Sequence, residues 1–292
     1  MPIEPKPGTL YLVGTPIGNL EDMTFRAVKI LQQVDLIAAE DTRHTGKLLH
    51  HFQIHTPQIS YHDHNRQSRI PELLTLLTQG KAIALVSDAG MPGISDPGYE
   101  LVKVCAEANL SVVPIPGSSA AITALTVSGL PSNRFVFEGF LPTKPKLRQA
   151  RLEQLQNEPR TLIFYEAPHR LQQTLSDLQV LGADRFIALA RELTKLHEEI
   201  WRGTIAAAIA HYQLNSPQGE YTLVVAGAAP NPAMISETRL KAELQQLLQS
   251  GLSRSEASRQ LAQQTTLPRR QIYQLALSLS DGKFDPYANS GE

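Results

Sequence analysis

Short apolar runs of strand length alternate along this chain with segments whose apolar residues recur at helical spacing, and Gly or Pro turns separate the two. Leu10–Val13 is the first such run. It is followed by the turn GTPIGN and by a stretch in which Phe25, Val28 and Leu31 share one helical face. A second strand is expected at Leu36–Ala39 and a helix around Arg66–Leu77. The pattern then repeats as strand Ala82–Val86, a glycine-rich loop, helix Tyr99–Glu107, strand Ser111–Ile115, and PGSSAAITAL opening another helix. Strand candidates at Phe135–Glu138, Thr161–Tyr165, Phe186–Ala190 and Tyr221–Ala226 continue it, most of them separated by helical segments. This alternation indicates an α/β protein with a largely parallel sheet. There is no fixed-period repeat of the kind that builds a solenoid.

The pattern changes at Ala228–Ile235, AAPNPAMI, where two prolines and an asparagine mark a linker. Beyond it, helices are expected at Ser236–Gln249, at Ser253–Gln264 with a serine cap, and at Pro268–Leu279 with proline in the first turn. The last two, joined through TTL, have helix-turn-helix spacing. Arg254, Arg259, Arg269 and Arg270 give this end a basic aspect. Docking to nucleic acid and a solvated helical appendage both fit it.

With 292 residues, 42% of them hydrophobic, the chain can bury a core of two domains with a small third. A formal net charge of -1 argues against coating nucleic acid through bulk electrostatics and leaves room only for a local basic patch. The single cysteine, Cys105, excludes an intrachain disulfide framework and multi-cysteine metal sites, and is expected in the core. The opening MPIEPKPGTLYLVG lacks the basic and apolar regions of a signal peptide, and no apolar run reaches membrane-spanning length. A cytoplasmic location without membrane association is expected.

The sequence holds no G-x-x-x-x-G-K-[ST], and GTPIGNL does not satisfy G-x-G-x-x-G, which disfavours a P-loop ATPase or a conventional dinucleotide enzyme. Instead TPIGNL, DAGMPGISDPG and PGSSA follow strands and could converge on one extended ligand at their carboxyl ends. Val86–Gly98, VSDAGMPGISDPG, is the richest of these, with a tight connection whose aspartates satisfy local amides as its alternative. Ser118 and Ser119 stand where a helix begins, able to hold a carboxylate or simply to cap. Ala39–Thr45, AEDTRHT, offers Glu40, Asp41, Arg43 and His44 either to a phosphate or to a cap and salt bridge.

Six of the nine histidines lie between His44 and His64, including HDHN at His62–Asn65. His62 and His64 alternate and no helical H-x-x-x-H pair accompanies them, so a polar substrate loop is expected and no metal. Phe164–Arg170, FYEAPHR, sets Glu166, His169 and Arg170 at a strand end where a general base is useful. ARELTKLHEE places Arg191, Glu192 and Lys195 after another strand, with a charged surface turn as the alternative. Leu141–Leu152, LPTKPKLRQARL, carries Lys144, Lys146, Arg148 and Arg151 without an acid. That segment reads as a mobile, proline-broken grip on a polyanion, or as a solvated loop.

Taken in order, TPIGNL, AEDTRHT, HDHN, VSDAGMPGISDPG, PGSSAAITAL, GLPSNRFVFEGFLP, FYEAPHR and ARELTK resemble the ribosomal RNA small subunit methyltransferase I family, a branch of the tetrapyrrole methylase superfamily. The resemblance runs from Gly8 to about Ala226, with a compatible helical domain after it. It implies two α/β domains with a cofactor cleft between them, divided as 1–117, 118–228, a linker at 229–236 and a helical domain at 237–292. It further implies an S-adenosylmethionine-dependent enzyme that methylates the ribose 2′-hydroxyl of a decoding-centre cytidine in 16S rRNA, in the small ribosomal subunit, as a homodimer.

By that likeness Pro16, Ile17, Asp88, Ala89, Met91, Ser119, Ala120 and Tyr165 approach the cofactor, with Ser95 to Gly98 shaping the turn. Met91 stands where smaller residues are common in the family. Glu166, His64 and Lys195 are the candidate bases, the last only if desolvation yields a neutral amine. Arg43, Lys144, Lys146, Arg148, Arg170 and Arg191 are candidates for contact with RNA. A tetrapyrrole methylase and a non-catalytic RNA-binding protein are the competing readings.

Overall fold

Alternate residues of the first strands serve two different cores, which is the reason those strands read as continuous apolar runs. In the computed structural model, which describes residues 4–229, 237–265 and 267–279, β1 (Thr9–Val13), β2 (Leu36–Ala39), β3 (Gln58–Ser60), β4 (Ile83–Val86) and β5 (Ser111–Ile115) form one sheet. All its pairings are parallel, in the order β3-β2-β4-β1-β5. Tyr11, Val13, Ile37, Ala39, Ala84 and Val86 pack with α1 (Phe25–Gln33) and α2 (Thr42–His51) on one face. Leu10, Ala38, Ile83 and Leu85 pack with α3 (Arg66–Thr78) and α4 (Tyr99–Glu107) on the other, where Cys105 is fully buried.

That division opens a crevice. The chain leaves β1 toward α1 on one face and leaves the adjacent β4 toward α4 on the opposite face, so the two loops diverge at the carboxyl end of the sheet. A split of this kind is the topological switch point at which open α/β sheets bind ligands. The diverging loops are held at their roots by Thr15 N–H donating to Gly90 O (2.9 Å) and Gly90 N–H donating to Thr15 O (3.1 Å). Beside them Gly14 and the loop after β5 meet backbone to backbone, so closely that a Cβ on Gly117 would lie 2.8 Å from Gly14 Cα.

The second sheet comprises β6 (Phe135–Phe140), β7 (Thr161–Glu166), β8 (Phe186–Arg191), β9 (Glu199–Thr204) and β10 (Tyr221–Val225), ordered β6-β7-β10-β8-β9. The expectation of a largely parallel sheet fails here, because only β6 and β7 pair in parallel. The helical crossover from β7 to β8 still returns the chain in the same direction, but β10 inserts between the two strands antiparallel to both. One face of this sheet packs Leu162, Phe164, Leu189 and Leu223 against α6 (Pro145–Leu155), α7 (Pro168–Asp177) and α8 (Ile205–Leu214). The other face packs Ile163, Ala188, Ala190 and Val224 against α5 (Ala120–Ser128).

The segment expected to be mobile between Lys144 and Arg151 is the helix α6. Pro145 stands in its first turn, where a missing N–H costs nothing, and Leu152 and Leu155 are buried. Residues up to 227 form one compact unit and the remainder another. In the second unit α9 (Glu237–Gln249), α10 (Arg254–Gln264) and α11 (Arg269–Ser278) enclose Leu244, Ala257, Leu261 and Ile272. Ser253 and Glu256 form a reciprocal capping box at the start of α10. Apart from Ala229, the linker expected at 229–236 lies outside the described residues, as do the first residue of the Ser236–Gln249 helix and the part of the helical domain beyond 279.

Replacing Gly117 with Ala is expected to force the first and third loops apart and to cost about 1–3 kcal/mol, the usual penalty of overpacking, measured by urea denaturation. A loss below about 0.5 kcal/mol, typical of an unconstrained surface site, would show that these backbones are not locked together.

Candidate active site

A cavity of 390 Å³ lies at the carboxyl ends of strands from both sheets. That is a small-molecule volume. Ile17 comes from the loop after β1, Ala89, Met91 and Asp96 from the loop after β4, and Ser119 and Ala120 from the start of α5. Tyr165 ends β7 and Lys195 follows β8. The first loop reaches across to the second sheet through Gly18, where a Cβ would lie 2.4 Å from Lys195 Cγ. In the loop after β4, Ser95 adopts the left-handed backbone conformation with φ of 60°. Strain of this sort persists only where surrounding structure imposes it, and it clusters at functional sites.

Of the eight residues assigned to the cofactor, the structure brings six to this cavity. The other two, Pro16 and Asp88, line a second cavity of 230 Å³ with Thr15, Lys47 and Ser87 among its walls. Asp88 ties the loop to the segment after β2: its backbone N–H donates to Glu40 Oε2 and its Oδ1 accepts from the Asp41 N–H, both at 3.2 Å. Tyr165 is held edge-on by Phe137 and Phe140, and its hydroxyl oxygen accepts from the Ala121 N–H at 3.2 Å. Burial raises the pKa of that phenol, and the nearby charge of Asp96 adds to the effect. Ser119 stands at the N-cap of α5 without spending its hydroxyl on a cap hydrogen bond.

The three residues expected as bases are placed less favourably. Glu166 is 2% exposed. Its carboxylate accepts from Thr174 Oγ1 (2.5 Å) and the Ala167 N–H (2.9 Å), and pairs with Arg170 Nε at 3.3 Å. These three contacts tie that carboxylate to the start of α7. Lys195 pairs with Glu192 at 2.9 Å and Glu220 at 2.6 Å. Burial alone would lower its pKa, but hydrogen bonds to Glu220 and Glu192 outweigh burial and raise it, so the amine stays cationic. His64 is exposed, stacks edge-on with His62 at 5.9 Å, and does not line the cavity. Among the described residues no group of three or more His, Cys, Asp or Glu is disposed to hold a metal ion.

Sequence reasoning passed over Asp96 as a turn residue. The structure sets it on the cavity wall, half-buried, with its pKa pushed up to about 7. Burial is the main cause; Glu40, Asp88 and Asp63 reinforce it, and a hydrogen bond from Ser87 opposes it. Burial likewise raises Glu40. The signal was the second aspartate of DAGMPGISDPG, but the acids that perturb it come from three separate loops.

The basic residues divide into two groups. Arg43, bound to the Asp41 carboxylate at 2.7 and 3.1 Å, is open to solvent, and Lys144 and Lys146 are exposed at the start of α6. Arg148 is 7% exposed and turned inward. It bonds Asp177 Oδ2 at 2.5 Å and donates to the Pro142 and Thr143 carbonyls. Arg170 donates to the Leu141 carbonyl (2.7 Å). Arg191 donates to the Gln218 carbonyl (2.9 Å) and pairs with Glu199 at 3.1 Å. Each of these three expected RNA contacts commits two of its three side-chain nitrogens to the protein.

Residues 9–209 match the family described as tetrapyrrole (corrin/porphyrin) methylases. The chain is 64% identical over 278 residues to the "Ribosomal RNA small subunit methyltransferase I" of Synechocystis sp., covering 94% of this chain and 100% of that protein. To the protein of the same name from Halalkalibacterium halodurans it is 46% identical over 272 residues, covering 92% and 94%. Among solved structures it is similar to the Thermus thermophilus uroporphyrin-III C-methyl transferase complexed with S-adenyl homocysteine, with a TM-score of 0.53, 16% identity, and 74% and 96% of the two chains covered. A cobalt precorrin-4 methyltransferase gives a TM-score of 0.55 at 13% identity, covering 75% and 95%. At those identities the likeness shows the fold alone. No helix among the described residues is long and apolar enough to cross a membrane.

Arg148→Ala is expected to cost about 3–5 kcal/mol in denaturant unfolding, because it removes the cation paired with the mostly buried Asp177 and opens a void, whereas Lys144→Ala stays within about 0.5 kcal/mol. Equal effects would contradict this division of the basic residues. Asp96 carries a native pKa of about 7 against an ordinary value of 3.8. The native state then binds more protons than the unfolded chain, and ionising Asp96 takes stability away as pH rises through that window. Asp96→Asn should raise the melting temperature at pH of about 8 and change it little at pH of about 4, where the native carboxyl is already protonated. A lower melting temperature at the higher pH would contradict the desolvated acid.

Proposed function

This chain belongs to the tetrapyrrole methylase family and, within it, to the ribosomal RNA small subunit methyltransferase I family, and on that premise we propose that it is an S-adenosylmethionine-dependent methyltransferase. Its substrate in this reading is 16S rRNA in the small ribosomal subunit, and the acceptor is the ribose 2′-hydroxyl of a decoding-centre cytidine. It works as a cytoplasmic homodimer. The observation that carries the reading is the convergence of the loops after β1, β4 and β5 with the end of β7 on one cavity.

Bound in that cavity, S-adenosylmethionine supplies a methyl group already activated on a cationic sulfonium. The residues present suit such a ligand. Ile17, Ala89 and Met91 give an apolar wall that excludes water. The uncommitted Ser119 hydroxyl and the Ala120 N–H at the start of α5 suit a carboxylate. Tyr165 holds the start of α5 against the second sheet by accepting from the Ala121 N–H. Pro16 and Asp88 act through the loops they shape.

With the methyl group activated in advance, the protein has to align the acceptor in line with it and provide for the departing proton. Arg43, Lys144 and Lys146 face solvent and meet phosphates. Arg259 and Arg270, exposed on α10 and α11, extend the basic surface of the second unit.

Incubating the protein with labelled S-adenosylmethionine and unmodified small subunits, free rRNA or a tetrapyrrole precursor should place label on a ribose 2′-oxygen of 16S rRNA. Label on a base or on the macrocycle would contradict the substrate. The double variant Lys144→Ala, Lys146→Ala should weaken RNA binding and reduce the slope of log affinity against log salt by about 2, one for each phosphate no longer neutralised. An unchanged slope would remove α6 from the RNA surface.

A further inference from the structure

Methylation of a ribose hydroxyl forms an oxygen–carbon bond to the methyl group and breaks that carbon's bond to sulfur, whose electron pair returns to the sulfur. The hydroxyl O–H bond also breaks, and its proton needs an acceptor on the protein. We infer that Asp96 is that acceptor, taking the proton from the attacking hydroxyl onto its carboxylate, an inference that rests on the reaction proposed above.

Geometry narrows the choice. The titratable side chains that line the cavity are Asp96, Tyr165, Glu166, Lys195, Glu220 and Tyr221. Glu166 accepts from Thr174 and Ala167 and is paired with the Arg170 cation. Lys195 is a paired cation, and Glu220, whose side chain is 79% exposed, is its partner. Burial raises the Tyr165 phenol further from ionisation at neutral pH. Tyr221 has its hydroxyl oxygen taken by the Gln218 N–H at 3.3 Å and is bonded to Tyr212. Asp96 alone among them is a carboxylate on the wall with no cation paired to it in the described structure.

Its surroundings suit the task. Glu40 after β2, Asp88 in its own loop and Asp63 ahead of α3 add negative charge near it, Tyr165 faces it from β7, and the Ser87 side chain favours its charged form. Repulsion and burial make the carboxylate a far better proton acceptor than a solvated aspartate, with an affinity matched to neutral pH.

The test is single-turnover methyl transfer to unmodified small subunits, from pH of about 5 to about 9, by the wild type, Asp96→Asn, Asp96→Glu and Ser87→Ala. It is paired with calorimetric titration of S-adenosylhomocysteine and a carbon-13 titration of the Asp96 carboxyl in the ligand-free protein. The wild-type rate should rise with a midpoint near 7, and the carboxyl should titrate at the same pH. Asp96→Asn should lose about 10²- to 10⁴-fold in rate, as removal of a general base does, while its affinity for S-adenosylhomocysteine holds. Asp96→Glu should recover part of the rate with a displaced midpoint, and Ser87→Ala should move the midpoint upward by removing the bond that favours the charged form.

An Asp96→Asn rate within about threefold of wild type overturns the inference, since a general base is worth far more. So does a parallel loss of rate and ligand affinity, or a carboxyl midpoint below about 5, close to an ordinary aspartate. A wild-type protein that puts no methyl on ribose overturns the reaction and the inference together. Ribose methylation at full rate by Asp96→Asn overturns the inference alone.

Discussion

Thr15 and Gly90 exchange two backbone hydrogen bonds, and this short antiparallel bridge fixes the loops after β1 and β4 where they part toward opposite faces of the first sheet. Without it the crevice at the switch point would have no fixed width. The Thr15 hydroxyl adds a third tie by donating to the Ser87 carbonyl at 3.2 Å. Gly14 and Gly117 then let the loop after β5 close against the same root. Three loops from three strands thereby behave as one rigid wall, and the second sheet completes the enclosure through Tyr165 and Lys195. Positioning of this sort is what an enzyme needs when its methyl group arrives already activated.

The same wall concentrates charge that a purely structural loop would avoid. Glu40, Asp63, Asp88 and Asp96 approach one another where burial penalises ionisation, and the result is a carboxyl that titrates near neutrality. Local rules of packing and charge are broken at that point, as is expected of a site shaped by function. In contrast, Arg148 with Asp177 and Glu166 with Arg170 and Thr174 are satisfied networks that hold helices in place. Residue type alone does not separate a base from a brace. The number of partners does.

Much of the first sheet was legible in the sequence because its strands alternate between two buried faces and its loops are punctuated by Gly and Pro. β3 escaped notice, since QIS is short, polar and only half-buried at the sheet edge. β9, EIWRGT, carries charge along an outer strand and shows no apolar run. The direction of the second sheet was also hidden. Periodicity reports which faces are buried, whereas the insertion of β10 between β7 and β8 is a long-range pairing with no local signature. The apolar cavity residues could be placed from the resemblance of whole motifs. Asp96 could not be singled out, because its perturbation comes first from burial and then from acids such as Glu40 and Asp63, which lie in other loops. Nor could the inward turn of Arg148, whose partner stands 29 residues away.

The loops after β1, β4 and β5 and the end of β7 together make one proposed binding site for the methyl donor, and the chemistry follows only if that donor sits there. Titrating S-adenosylhomocysteine into the isotope-labelled chain and following backbone amide shifts tests this most directly. One site per chain is expected, with shifts at Ile17, Ala89, Met91, Ser119, Ala120 and Tyr165 that saturate together. Absence of binding, or shifts confined to Lys47, Leu48 and the other walls of the smaller cavity, would contradict it.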